Sequence, residues 1–317
     1  MAHLPMGPSH FAELRVFIQT NTDKEWKRLY RQPQIGATFR GFNLANKDLL
    51  GYGLGVAAYL STPVIIQNRF IWHLEVGAGP GFISKPFDLE DNYKNIAIGS
   101  HGNVFIMLGQ RLTYHATDRL DLAIGTAFNH FSNAAFSLPN LGLNYPTISL
   151  GLSYRPSRVE SDSTAIARTK TRIESNWLFS LNGGVKQSIK PYNAKFPTFS
   201  LTSDRIFGIS RKSSLALGLD FFYNEALYQY RNALGEAIDP QQNIQSGVHF
   251  GYGLHVADAM LLIQMGAYVL DSYKRDGFLY HRVGIRYFIT DHLGMSLSLK
   301  THFFKADYFE LGLTYRI

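Results

Sequence analysis

The chain of 317 residues contains no cysteine, and only 17% of its residues are charged. The absence of cysteine excludes disulfides, thiolate zinc sites, iron–sulfur clusters and a cysteine nucleophile. Soluble domains carry about 25% charged residues, so this chain is short of charge. Disordered chains combine much charge with few aromatic residues, whereas aromatics make up 14% of this chain. The composition therefore predicts an ordered protein that is not an ordinary soluble domain.

Two familiar hydrophobic segments are also missing. Residues 1–11 contain no basic stretch followed by an apolar one, so they do not form a secretory signal, and we expect a processed or incomplete N-terminus. Residues 49–68 lack charge, but they contain alternating glycines and a Ser-Thr-Pro sequence at 61–63. A spanning helix needs about 20 mostly apolar residues, so we interpret this stretch as a strand, a turn and the start of another strand.

The net charge is +7, and the basic residues are scattered apart from groups near 24–31 and 158–172. The sequence contains neither an RNA-binding signature nor a helix-turn-helix pattern. We therefore predict no nucleic-acid partner. The basic surplus is compatible with an anionic membrane surface or an anionic substrate.

The dominant pattern is alternation with a period of two. In residues 147–155 the apolar side chains occupy every second position, and the same holds in 70–77, 214–221, 293–300 and 309–317. Successive side chains of a strand point to opposite faces, so each segment has one apolar face and one polar or small face. A soluble sandwich would alternate too. The length of the segments, about 9–14 residues, and the aromatics at their ends favour an all-β fold, a transmembrane antiparallel β-barrel.

Alternation predicts fifteen candidate strands, and bacterial barrels contain an even number. If the tight connections near 116–119, 255–258 and 290–292 lie at the periplasmic end, residues 11–20 run in the wrong direction to begin the barrel. We therefore predict about 14 strands, with 16 as the alternative if an upstream strand is missing. The candidate strands lie near 11–20, 33–42, 50–61, 68–80, 98–114, 118–132, 145–156, 175–189, 195–208, 212–225, 246–256, 258–271, 279–289, 292–303 and 307–317.

The polar residues 158–174 divide the chain into two parts. We predict that 1–317 form one barrel, in which 1–157 hold the candidate site and 175–317 supply the remaining strands. The alternative is that the polar connection links two smaller barrels. Several charged residues share the inward positions of their strands, and we expect them to form ion pairs in the lumen: Glu75, Arg111, Asp220, Arg282, Arg286, Lys300, Glu310 and Arg316.

Polar residues interrupt the apolar face at one place. His130 and Ser132 have the parity of the lipid-facing residue Leu122, and Asn144 has the parity of Leu150 on the next strand. If the register holds, the three polar side chains face outward where two strands meet, and a single bulge would reverse this. Polar residues in a lipid-facing wall are functional candidates by default. Ser, His and a third hydrogen-bonding residue can act as nucleophile, base and orienter. The structural alternative is that the cluster lies at the level of the lipid headgroups.

The surrounding motif resembles that of the outer-membrane lipid A 3-O-deacylase / acyloxyacyl hydrolase family. The resemblance rests on His-Phe-Ser-Asn at 130–133, on Pro-Asn-x-Gly-x-Asn at 139–144, and on stretches at 85–88, 95–101, 151–155, 299–307 and 312–316 that fit a longer branch of the family. It implies a barrel esterase of the bacterial outer membrane that removes ester-linked acyl chains from lipid A, without a metal or other cofactor.

By this resemblance Ser132 is the nucleophile, His130 the general base and Asn144 the third member of the site. Asn133 contributes to the oxyanion hole, and the supporting positions in the motif are Ala135, Asn140 and Gly142. The short enzymes of the family carry Glu where this chain has Asn144, and tend to have Gly where it has Ala135. The Asn144 carbonyl can fix the histidine tautomer, but it offers no negative charge to an imidazolium.

The leading hypothesis is an outer-membrane hydrolase whose partner is lipid A, lipopolysaccharide or another outer-leaflet lipid. The second hypothesis, suggested by Asn144, is a catalytically silent member of the family that acts as a structural or assembly subunit of an outer-membrane complex. A diffusion channel is the third.

Overall fold

The computed structural model describes residues 7–21, 23–156, 173–187, 194–233, 235, 243–271, 277–303 and 305–317. Within them the chain forms fifteen β-strands, and every pair of hydrogen-bonded strands is antiparallel. The strands belong to two compact units. The first unit consists of residues 1–133 and 139–167, and the second of residues 134–138 and 168–317.

The first unit contains a seven-stranded sheet in sequence order, with β1 and β7 at its edges. Its strands are β1 His10–Gln19, β2 Gln34–Asn43, β3 Tyr52–Gln67, β4 Phe70–Ile83, β5 Gly102–His115, β6 Leu120–Ser132 and β7 Leu143–Tyr154. The ring of Phe42 on β2 contacts Phe131 on β6 and Tyr145 on β7, which shows that the sheet is strongly curled. The aromatic core therefore lies on the inner face.

The second unit is a closed barrel of eight strands in which β8 pairs with both β9 and β15. Closure leaves no unpaired strand edge, which is what a bilayer requires of a sheet. The strands are β8 Trp177–Gln187, β9 Lys195–Gly208, β10 Ser213–Asn224, β11 Ile244–Val256, β12 Ala259–Leu270, β13 Leu279–Phe288, β14 Leu293–His302 and β15 Lys305–Arg316.

The alternation read from the sequence is present in both units. On β7, Ile148 and Leu150 are 75% and 84% exposed, whereas Ser149 between them is half-buried. On β10, Leu217 and Leu219 are exposed, and Asp220 is buried. Large apolar side chains thus cover the outward faces and polar ones point inward, which confirms the prediction of an all-β, transmembrane antiparallel barrel class.

The predicted number of strands is wrong. Residues 10–19 form a full strand that pairs with β2 over its whole length, so the first candidate belongs to the sheet and 14 is too few. Sixteen strands are not found among the described residues. Instead, fifteen strands form a seven-stranded sheet and an eight-stranded barrel. Most of the predicted polar connection 158–174 lies outside the described residues.

Residues 52–67 of the stretch 49–68 form one strand without an internal turn. β3 continues through Pro63 to Gln67, and the pairing with β4 shifts register between Pro63 and Ile65. Proline lacks an N–H for the ladder, so the strand accommodates it at an irregularity. The turn follows at residues 68–69.

Of the connections that the structure describes, two contain helices: α1 Glu25–Leu29 and α2 Glu225–Ala233. α1 follows β1, and α2 directly follows β10. Across the described ranges, no helix combines the length and apolar character needed to cross a membrane.

The barrel interior is filled by charged and polar side chains. Arg282 contacts Asp220 at 2.9 Å and Glu310 at 3.2 Å, and Arg286 contacts Asp204 at 2.7 Å. Two further pairs fit the same prediction, Lys300 with Asp307 in the barrel and Arg111 with Glu75 in the first unit. Inward charge pairing is therefore confirmed for these residues. Arg316 differs, because it donates to the Asp291 carbonyl near the end of the strand.

Candidate functional site

His130 and Asn144 lie directly opposite each other on β6 and β7. The pairing of β5, β6 and β7 runs without a register shift, so both residues keep the outward parity of Ile124 and Ile148. His130 Nδ1 is 2.6 Å from Asn144 Oδ1. Because an amide oxygen only accepts, Nδ1 carries the proton and Nε2 is left as the acceptor of the ring.

Ser132 lies two residues beyond His130 on the same face and ends β6. Its hydroxyl donates to Asn140 Oδ1 at 3.3 Å and accepts from Asn140 Nδ2 at 3.0 Å. Asn140 Oδ1 also accepts the backbone N–H of Asn133 at 3.0 Å. All three residues are at most 9% exposed. One amide therefore holds the hydroxyl and the N–H of the following residue around a common point.

Gly142 is required where the connection re-enters β7. Its φ is +77°, and a Cβ at this position would lie 2.7 Å from His130 Cε1. Any other residue would therefore be strained in the backbone and would displace the imidazole. The absence of a side chain lets the backbone form one wall of the histidine site.

The chain leaves the first unit after Asn133 and returns at Pro139. Ala134 and Ala135 adopt left-handed backbone conformations, with φ of 49° and 58°. Residues other than glycine seldom adopt this conformation, so two of them in succession indicate a sharp turn that the surrounding structure holds in place. Ala135 belongs to the second unit, in which its carbonyl accepts the N–H of Gln187 at 3.0 Å. The left-handed φ explains why glycine suits this position.

Asn129 supports the site from the inner face. It is fully buried, and its amide donates to the Tyr145 carbonyl at 2.9 Å and to Thr147 Oγ1 at 3.0 Å. Arg40 Nη1 donates to Asn129 Oδ1 at 2.6 Å. These bonds tie β6 to β7 one residue away from His130, so the outward pair sits on a rigid wall.

A groove of about 730 Å³ opens on the outward face next to the pair. Two residues along each strand from His130 and Asn144, Phe128 faces Pro146, and both line the groove. The other apolar side chains that line it are Leu74, Leu108, Ala127 and Ile148. The groove is mainly apolar, and it lies on the same two strands as His130 and Asn144.

Two histidines outside the candidate site, His101 and His302, have partners of their own. His101 Nδ1 lies 2.9 Å from the Ile83 carbonyl, and His302 Nε2 lies 2.8 Å from Tyr268 Oη. No group of three or more His, Asp or Glu side chains suited to a metal ion occurs in the described part of the chain.

The sequence reasoning missed three residues that contact the site or its support. Asn129 lies on β6 with its amide directed inward, and the alternation of the strand alone predicts that direction. Asn95 and Ser100 lie in the connection between β4 and β5, where no period exists to single out a position. Their contacts depend on how distant loops meet.

The fold and the cluster define a β-barrel protein with a polar site on its outward wall. A family model described as lipid A 3-O-deacylase (PagL) matches residues 10–153, and one described as acyloxyacyl hydrolase, C-terminal domain, matches residues 175–317. Together they cover almost the entire chain, and their limits coincide with the two sheets. The chain belongs to the lipid A 3-O-deacylase / acyloxyacyl hydrolase family.

No curated protein matches the chain. Among solved structures, a de novo designed transmembrane β-barrel is 12% identical with a TM-score of 0.29, covering 47% of this chain and 100% of its own. A mutant porin of Rhodopseudomonas blastica is 11% identical with a TM-score of 0.21, covering 98% of this chain and 91% of its own. TM-scores of this size support no inference about this chain.

Proposed function

We propose that the protein is an esterase of the bacterial outer membrane that removes ester-linked acyl chains from lipid A or a related glycolipid. The observation that carries the proposal is the outward-facing His130–Asn144 hydrogen bond of 2.6 Å, two residues from Ser132. A histidine with one nitrogen oriented and the other accepting is what a serine nucleophile needs. The family to which the chain belongs supports the same reaction class.

In the proposed reaction, the Ser132 hydroxyl turns from Asn140 towards His130. Cα atoms two residues apart on a strand are roughly 6.5 Å apart, which side chains that lean together can bridge. The Ser132 oxygen attacks the ester carbonyl carbon while its proton passes to His130 Nε2. When the tetrahedral intermediate collapses, the carbon–oxygen bond to the sugar breaks, and the leaving alkoxide receives that proton. Water, activated by His130, then releases the fatty acid from the acyl-serine.

The developing oxyanion needs N–H donors near the nucleophile. The Asn140 Oδ1 atom lies 3.0 Å from the Asn133 nitrogen and 3.3 Å from Ser132 Oγ, so it marks a point that both groups reach. We propose that the substrate oxygen replaces this amide oxygen during the reaction. Asn133 is then the oxyanion donor, and Asn140 and Gly142 support the site, with Ala135 shaping the turn that follows.

The groove beside His130 and Asn144 supports the proposal that the substrate is a lipid. Its apolar lining suits an acyl chain that reaches the site from the bilayer, with the ester at the level of His130. The chemistry that we propose uses the side chains of Ser132 and His130 and the backbone N–H of Asn133, and it calls on no metal or cofactor. Nothing among these observations supports a purely structural subunit of a complex.

The experiment is release of fatty acid from lipopolysaccharide by the purified, folded protein, followed by mass spectrometry. We expect release by the natural sequence and none above background from Ser132→Ala. Ser149→Ala is the matched control, because Ser149 lies half-buried on the inward face of β7. Absence of release across detergents and pH, or equal release by Ser132→Ala, would contradict the proposal.

A further inference from the structure

The connection between β4 and β5, residues 84–101, is built around two asparagines. Asn95 is fully buried, and Asn92 is 9% exposed. A buried amide is costly unless its hydrogen bonds are satisfied, and here both amides bind backbone groups of several segments. The connection is therefore a fixed structure rather than a loose loop.

Asn95 links three segments of chain. Its Nδ2 donates to the Leu49 carbonyl at 3.2 Å and to the Lys85 carbonyl at 2.8 Å. Its Oδ1 accepts the N–H of Ala97 at 3.0 Å. The position of Ala97 is thus set by one side chain that is itself held from two sides.

Ala97 transmits this position to the site. Its carbonyl accepts the N–H of Leu141 at 2.9 Å and the N–H of Gly142 at 3.1 Å. Next to it, Ile98 forms an isolated bridge with Asn140. Since the backbone of Gly142 forms the wall against His130, a displacement of Ala97 would move that wall.

The same connection also reaches the other side of the site. Asn133 Nδ2 donates to Ser100 Oγ at 2.8 Å, and Ser100 Oγ donates to the Gly102 carbonyl at 2.8 Å. The side-chain amide of Asn133 is therefore oriented by Ser100 from the β4–β5 connection. Both the histidine wall and the residue that follows Ser132 rest on one segment.

We propose that the β4–β5 connection positions the site, with Asn95 as a positioning residue that acts on His130 through Ala97 and Gly142. The kinetic consequence rests on the function proposed above, whereas the structural consequence does not. Misplacing a catalytic group by about 1 Å can lower turnover by about 100-fold, so the effect falls on kcat rather than on KM.

Asn92 provides a matched control. Its Nδ2 donates to the same two carbonyls, Leu49 at 3.0 Å and Lys85 at 3.3 Å, and to Pro86 at 2.7 Å. The hydrogen bonds of its side chain do not include Ala97. Asn92→Ala therefore weakens the connection without cutting the path to Gly142.

The experiment compares Asn95→Ala and Asn92→Ala in the folded full-length protein. Hydrogen exchange at Leu141 and Gly142 reports their bonds to Ala97 without reference to activity. We expect Asn95→Ala to speed exchange at both amides about 10-fold or more, and to lower kcat for fatty-acid release about 10-fold or more with KM unchanged. Asn92→Ala should leave both nearly unaltered.

Equal effects of the two substitutions, or unchanged exchange in Asn95→Ala, would overturn the positioning role. Absence of release by the natural sequence would overturn the proposed function instead, so the two failures are distinguishable. If Asn95→Ala does not fold, Asn95→Asp serves, because it keeps the size of the side chain and the acceptor for Ala97 and loses the two donors. Faster exchange at Gly142 is expected there too, and unchanged exchange would again overturn the role.

Discussion

Each unit holds a histidine with an oxygen partner on Nδ1, and the two environments differ in every other respect. His130 lies half-exposed on an outward face, with Asn144 at 2.6 Å. His249 is enclosed in the barrel, with Asp220 at 2.7 Å from Nδ1 and Asp204 at 2.6 Å from Nε2. Carboxylates on both nitrogens leave His249 no nitrogen with which to accept a proton from a substrate.

Two properties distinguish the catalytic candidate from the structural histidine. His130 is accessible from outside the wall, and one of its ring nitrogens can still accept a proton. The charges around His249 are paired, and removing one partner of a buried pair leaves an uncompensated charge. The groups around His130 are uncharged and face the bilayer side of the wall. Substitutions at His249 should therefore lower stability, whereas substitutions at His130 should lower activity.

The largest difference is expected from the histidines themselves. His130→Gln should lower fatty-acid release by about 1,000-fold or more, because the proposed general base is lost while the seven-stranded sheet remains folded. His249→Gln should lower the stability of the barrel and leave the turnover of the folded fraction unchanged. Release assays normalised to folded protein, judged by heat-modifiable mobility, decide the matter. Equal loss of turnover in both variants would remove the distinction.

The second effect concerns the interior of the barrel. Arg282 is in contact with Asp220, Glu310 and Thr202, so Arg282→Met leaves two carboxylates without their cation. We expect a loss of about 3–5 kcal/mol in the free energy of unfolding, measured by urea titration in lipid. Arg282→Lys keeps the charge and should lose less. A loss below about 1 kcal/mol for Arg282→Met would show that the pairs do not hold the barrel.

The third effect sharpens the role of Asn144. Asn144→Glu supplies a carboxylate beside the imidazolium that forms when Ser132 loses its proton, and we expect kcat to rise about 10-fold. Asn144→Ala removes the acceptor that fixes the tautomer, so kcat should fall about 10-fold or more. Kinetics of both variants on lipopolysaccharide test this. A fall in both would mean that the site is built around the amide.

The smallest effect lies in the β4–β5 connection. Backbone N–H groups of Asp91 and Glu90 donate to Asp88 and hold the pKa of its carboxyl below the usual 3.8. A lowered pKa stabilises the folded turn above the ordinary pKa, and this contribution is lost as pH falls through the lower value. We expect the protection factors of the amides in residues 88–92, which are corrected for the intrinsic pH dependence of exchange, to fall below about pH 4. Asp88→Asn should abolish that pH dependence, and a pH dependence equal to that of the natural sequence would argue against it.

Strand positions could be predicted from the sequence because alternation is a local signal. All fifteen candidate segments overlap observed strands, including the first candidate, 11–20, which overlaps β1 although a count of 14 excludes it. The sequence left open a division of the chain at the polar connection 158–174, but which strands close a barrel could not be predicted, because closure depends on which distant strands pair, as β8 does with β15. Periodicity carries no information on such partners.

The site was predictable to the extent that it lies on strands. His130 and Asn144 face outward together because no bulge interrupts β6 and β7. The resemblance already pointed to Asn140 and to the stretch 95–101 that contains Asn95 and Ser100. Their contacts join connections without a period, so only the folded chain reveals those contacts. The catalytic roles of His130, Ser132 and Asn144 remain predictions until the variants are measured.

The neutral partner of His130 also bears on how the wall enters a bilayer. A charged side chain on the lipid face of a barrel costs free energy that grows towards the midplane. Asn144 adds no such charge, and its hydrogen bond to His130 satisfies the amide oxygen within the wall. A strand with Asn at this position is therefore easier to insert than one with an acid. If the proposed reaction holds, Asn144 combines a lower cost of insertion with less electrostatic help to the imidazolium than an acid would give.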